Sequence, residues 1–188
     1  MGGLSGLACV PILTSIWRVY ARIAEVVDIL LIHGLRDQTA DFSMLVEPLA
    51  RFGRVLAPDA PGHVEPLGHP FRMIEWLADI EHRVSTNAAR PILIGLSAGG
   101  HVAMAAAARL PHDVRAVVAC DTPMTLPRDR LLSDEIQATL MADEREELVH
   151  HLTRGDLDRY FEGFPDDAAD SRITCPVLLV GGNPQMGA

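Results

Sequence analysis

Pro91-Ile92-Leu93-Ile94-Gly95-Leu96-Ser97-Ala98-Gly99-Gly100 decides how the rest of this chain is read. An apolar run, 91–94, leads into G-x-S-x-G, and an alanine-rich stretch, 100–110, reads as a helix behind it. Strand, G-x-S-x-G and helix in that order are the setting of a nucleophile elbow, where a serine stands on a tight strand-to-helix turn. Gly95 and Gly99 suit a turn in which backbone segments close on each other and leave no room for a Cβ. A helix starting beneath Ser97 would bring unpaired N–H groups and a partial positive charge to the place where an oxyanion forms. The bland alternative is a glycine-rich βα turn with a bystander serine. The segments on either side favour the elbow.

Working outward, further apolar runs at 27–32, 54–57, 114–119 and 176–180 read with 91–94 as strands, because none alternates polar with apolar residues. Such runs suit a parallel sheet covered on both faces. Helical patterns separate them at 40–52, 70–88 and 98–110; in the second, Phe71, Ile74, Leu77, Ile80 and Val84 recur at helical spacing. The fold class expected is α/β, a mostly parallel sheet flanked by helices with right-handed crossovers. Between 123 and 174 no strand-like run occurs, and 133–153 and 157–164 are helical in pattern. The organisation expected is a core of 26–122 and 174–188, a helical cap insertion at 123–173 above the strand ends, and a poorly ordered N-terminal segment, 1–25. A surface insertion unrelated to the site is the alternative for 123–173.

The chain has 188 residues, enough for one domain with a real core, and its 48% hydrophobic and 22% charged residues are the balance of a soluble protein. A formal net charge of −9 argues against nucleic acid and against anionic membrane surfaces as partners. Three widely spaced cysteines, Cys9, Cys120 and Cys175, form no C-x-x-C and read as thiols in a reducing cytosol, with Cys120 the one candidate for a catalytic role. Residues 1–16 are fairly apolar but carry no Lys or Arg, unlike a signal peptide, and Pro11 and Arg18 interrupt a membrane span. A cytoplasmic location follows as the expectation. Neither G-x-x-x-x-G-K-[ST] nor a G-x-G-x-x-G after a strand is present, so no nucleotide cofactor is expected. His63 and His69 at H-x₅-H spacing, with no third ligand, make no case for a metal.

Four segments together resemble the α/β-hydrolase family. They are His33-Gly34 after the first strand, Pro58-Asp59-Ala60-Pro61-Gly62-His63 after the next, the elbow at 95–99, and 176–182, a strand followed by a glycine turn. The resemblance covers roughly 27–183 and implies a small-molecule substrate and hydrolysis of an ester or related acyl bond. It implies Ser97 as the nucleophile, with the backbone N–H groups of Ala98 and Leu35 as the oxyanion hole. His33 and Gly34, like Gly95 and Gly99, would then be structural turn residues. His33 is the wrong side of Ser97 in chain order for a triad base.

The family's acid and histidine should follow the elbow, yet no Asp or Glu occurs after Asp170, and Asn183 stands beyond the glycine turn. Asp121, at the end of the run 114–119 and Cys120, is the candidate acid; a capping role through Thr122 and Pro123 is the alternative. His150 and His151 are the only histidines after Asp121, on a pattern that points adjacent side chains about 100° apart. The expectation is therefore a hydrolase scaffold lacking its last strand, last helix and histidine, as a truncated product or a fragment would. The run 176–180 would form an exposed apolar edge open to pairing with a second copy. The rival function is a non-catalytic member that keeps the pocket and binds a ligand or partner without turnover.

Overall fold

The computed structural model describes residues 27–35, 37–63, 67, 69, 71–87, 89–125, 159–165 and 172–181. The N-terminal segment, most of the expected cap with His150 and His151, Cys9, and Asn183 lie outside the described residues. Five strands form one sheet: β1 (Val27–Ile32), β2 (Gly53–Leu56), β3 (Ile92–Leu96), β4 (Ala116–Cys120) and β5 (Val177–Val180). Their order is β2-β1-β3-β4-β5, every pair parallel. Between β1 and β4 the described residues form helices α1 (Ser43–Ala50), α2 (Met73–Ser85) and α3 (Ala98–Arg109) and a 3₁₀ turn (Thr39–Phe42); residues 159–160 are helical too. No helix among the described residues is long and apolar enough to cross a membrane.

Alternate residues of β1 feed two cores. Leu30 and Ile32 join α2 and α3 on one face, with Trp76, Leu77, Ile80, Val102 and Met104. Ile29 and Leu31 face the other way, with Phe42, Leu49 and Val55. Among the described strands only this one is buried nearly end to end, which corrects the expectation of five strands covered on both faces. Burial alternates along β3 and β4, and every residue of β5 is exposed. The apolar composition of 177–180 cannot reveal this, because burial depends on which elements lie alongside, not on the strand's own residues.

Element ends also differ from the pattern. The helix expected at 40–52 divides into the 3₁₀ turn and α1, and β2 begins at Gly53, where a Cβ would overlap the Val27 carbonyl and only glycine fits. α2 starts at Met73, with Arg72 extended ahead of it and Phe71 buried separately in the core. In β3 the strand runs on through Gly95 and Leu96. α3 is buried on nearly every side from Gly99 to Ala108. Its alanines keep it thin enough to lie against β3, β4 and α2 at once.

The chain leaves β1 for β2 on one side, then returns to build β3, β4 and β5 on the other. The order reverses between β1 and β3. At such a switch point the loops beyond adjacent strand ends part, and the crevice they leave is where open α/β sheets take ligands. The residues beyond those two ends are His33-Gly34-Leu35 and Ser97-Ala98.

Candidate active site

Ser97 joins β3 to α3 with φ 49° and ψ −115°. A serine rarely adopts this left-handed backbone, and the neighbouring contacts hold it there. Its N–H donates to the Cys120 carbonyl at 2.8 Å, and its own carbonyl accepts the Gly100 N–H at 3.0 Å and the Thr122 hydroxyl at 3.1 Å. Ser97 Oγ has no hydrogen-bond partner among the described residues. It is half-buried, on top of the sheet.

The glycines explain the tightness of the turn. A Cβ on Gly95 would overlap the Gly99 carbonyl and the Gly100 nitrogen. On Gly99 it would overlap the carbonyls of Ile32 and His33. The second contact presses the start of α3 onto the end of β1, and Ile32 pairs with Gly95 in the sheet register. Leu35 and Ala98, which pack against the same core cluster, are thereby brought to adjoining turns. Ala98 opens α3, where the first amides have no intrahelical acceptor. The Leu35 N–H has no hydrogen-bond partner among the described residues.

His33 lies beneath this turn, fully buried. Its Nδ1–H donates to the Gly34 carbonyl at 2.7 Å, and its Nε2 accepts the Ala60 N–H at 2.8 Å. Burial holds its pKa below the usual histidine value, against the Gly34 carbonyl, which favours the proton. Gly34 is fixed by its N–H to Asp37 Oδ2 at 3.1 Å. His63, from the loop after β2, donates Nε2–H to the Leu35 carbonyl at 3.0 Å.

Asp121 stands one strand over. Leu96 pairs with Cys120, so Asp121 occupies on β4 the position that Ser97 occupies on β3. The parallel extends to the backbone: Asp121 has φ 48°, and its N–H donates to the Val180 carbonyl at 2.7 Å. Its exposed side chain lines an open cavity of about 280 Å³ with Thr122, Pro123, Leu179, Val180 and Gly181. Cys120, the rival nucleophile, is a poor one: burial, with Asp121 beside it, pushes its thiol pKa up and keeps it protonated. His101, one turn into α3, is buried, and its Nε2 has no hydrogen-bond partner among the described residues. His69 is exposed on the loop before α2, 3.9 Å from Glu75.

The structure thus brings Ser97, Ala98, His33, Gly34 and Leu35 together at the switch point, with Asp121 at the next strand end. No imidazole among the described residues hydrogen-bonds Ser97 Oγ. Thr122, named from sequence only as part of a possible cap beside Asp121, has another role: its hydroxyl bridges the carbonyls of Ser97 and Cys120 and its side chain fills the space above Gly100.

A family profile described as "Alpha/beta hydrolase family" matches residues 29–185. The "Serine hydrolase-like protein" of Danio rerio is 33% identical over 136 aligned residues, covering 65% of this chain and only 42% of that protein's length. Among solved structures, the enol-lactonase from Burkholderia xenovorans LB400 superposes with a TM-score of 0.64 at 23% identity, over 86% of this chain and 75% of that one. A hydrolase from Pseudomonas aeruginosa PA01 superposes with a TM-score of 0.63 at 23% identity, over 85% and 72%.

Proposed function

The chain belongs to the α/β-hydrolase family, and from that premise we propose that it is a hydrolase that opens an ester or related acyl bond of a small molecule through Ser97. The observation that carries the reading is the backbone of Ser97, a left-handed serine between a strand and a helix, with Gly95 and Gly99 packed where no side chain fits. Such strain persists where the surrounding structure over-determines it, and it presents the hydroxyl clear of the sheet.

In this reading Ser97 Oγ bonds to the acyl carbon as its proton passes to a base. The charge that gathers on the substrate oxygen is held by the Ala98 and Leu35 N–H groups. Loss of one such donor costs about 10²–10³ in turnover in comparable sites. The bond to the leaving group then breaks, the leaving group takes a proton, and water releases the acyl group from Ser97. Asp121 is the carboxylate that would orient a histidine and balance its charge. Its equivalence to Ser97 in the strand register supports that role.

The second reading is a binding protein on the hydrolase scaffold, which keeps the elbow and the crevice without turnover. Steady-state hydrolysis of a panel of nitrophenyl esters and lactones separates the two. The first reading expects turnover above background that falls at least a hundredfold in Ser97→Ala. Equal rates for parent and variant would leave the binding reading.

A further inference from the structure

Two histidines that the proposed chemistry does not use tie down the turn carrying Leu35. The contacts of His33 fix its proton. A ring nitrogen facing a carbonyl must carry hydrogen, and one facing an N–H must not. Its bonds to the Gly34 carbonyl and the Ala60 N–H therefore admit only the neutral Nδ1–H tautomer. His63 reaches the next residue of the same turn, through Nε2–H to the Leu35 carbonyl. The two imidazoles are 4.9 Å apart, and both lie against Trp76 of α2, at 5.0 and 6.0 Å. The loop they share is itself anchored: the His63 N–H donates to the Ala60 carbonyl at 3.1 Å, and Asp59 accepts the Thr39 N–H at 2.7 Å.

We propose that His33 and His63 are positioning residues, a two-histidine clamp that locks the 33–35 turn to the 58–63 loop and so aims the Leu35 N–H, and that protonation of His33 opens it. The proposal rests on Leu35 being an oxyanion donor. An imidazolium at His33 would point Nε2–H at the Ala60 N–H, donor against donor, and the shorter arm of the clamp would break. The titratable groups that act on His33 are His63 and Asp59 from the loop and Asp37 from its own turn; Trp76 and the start of α3 bring no charge to it. Burial and His63 oppose the proton, while Asp59 and Asp37 favour it. Opening therefore belongs below the ordinary histidine range.

The test uses the full chain, ¹⁵N-labelled, in three forms: parent, His63→Phe and His63→Gln. Phe keeps a ring against Phe71 and Trp76 without the donor, and Gln keeps a donor. The clamp requires a His33 imidazole protonated at Nδ1 alone near neutrality, and an Ala60 amide whose exchange protection disappears as that tautomer is lost in acid. It requires the Leu35 amide order parameter to fall from a rigid value of about 0.85 toward about 0.6 in His63→Phe and to recover in His63→Gln. Labelling of Ser97 by a fluorophosphonate should slow about tenfold in His63→Phe, the size of one lost hydrogen bond, with partial rescue by Gln. A His33 protonated at Nε2, or a Leu35 amide equally rigid in a folded His63→Phe, overturns the clamp. A loosened Leu35 with unchanged labelling leaves the clamp standing and removes Leu35 from the oxyanion role. Should His63→Phe fail to fold, the His33 tautomer and the Ala60 amide in the parent decide.

Discussion

Ser97 holds its left-handed backbone through neighbours 23 and 25 residues further on, the Cys120 carbonyl and the Thr122 hydroxyl. Thr122→Val keeps the shape and removes the hydroxyl. It is expected to cost about 1 kcal/mol of stability and to slow Ser97 labelling, read by urea unfolding and by labelling rate. Gly99→Ala is harsher, since its Cβ meets the backbone of Ile32 and His33 on the neighbouring strand. A loss of about 2–3 kcal/mol is expected, together with loss of labelling, because the elbow and the 33–35 turn must separate. His101 adds a pH dependence. Burial lowers its pKa from 6.5 to about 4, so the folded state binds its proton less readily than the unfolded state. Its contribution is intact above the ordinary histidine value and lost as pH falls from about 6.5 to about 4, up to roughly 3 kcal/mol. His101→Leu removes the unpartnered Nε2 and should flatten stability across that window. An unchanged pH slope would contradict this account of His101. At this scale Ser97, Gly95 and His33 were legible in the sequence, because each belongs to a short pattern with a local cause. Thr122 and the His63–Leu35 bond were not: their partners lie 25 and 28 residues away, and no local pattern carries such pairs.

Among elements, β1 and β2 show how a pair of strands manages a buried charge. Asp28 is almost wholly buried on β1, and Arg54 on β2, its register partner, donates Nε–H to it at 3.0 Å. That bond, chiefly, holds the Asp28 pKa below the usual carboxylate range against burial, with Asn87 assisting. The stabilisation is present above the ordinary carboxylate value and is lost as pH falls through the lowered one. Arg54→Met should therefore lower the urea midpoint at neutral pH, and the gap to the parent should close in acid. A gap that stays constant with pH would assign the loss to packing by the arginine stem. The helical period of α2 was readable from Leu77, Ile80 and Val84, all of which are buried. Strand ends were less readable. β2 starts at Gly53, where Val27 on the neighbouring strand leaves no room for a Cβ, a contact that exists only once the sheet has formed.

For the whole molecule, the α/β class and the parallel sheet followed from the alternation of apolar runs and helical patterns. The strand order did not, since periodicity says nothing about which strands become neighbours. The reversal between β1 and β3 is what gathers Leu35, Ala98 and Ser97 at one crevice. The sheet also has a consequence for association. Val177, Leu178, Leu179 and Val180 are 40–59% exposed along β5. An apolar edge of this kind invites a second copy. If it does so here, sedimentation will show a concentration-dependent dimer that Leu178→Lys returns to monomer; a parent that stays monomeric throughout rejects the pairing.

The central claim is that Ser97 is an activated nucleophile, and intact-mass analysis after fluorophosphonate treatment tests it most directly. An activated Ser97 gives one adduct on the folded parent, mapped to Ser97, and none on Ser97→Ala. A parent folded by circular dichroism that takes no adduct, or an adduct that survives in Ser97→Ala, would contradict it.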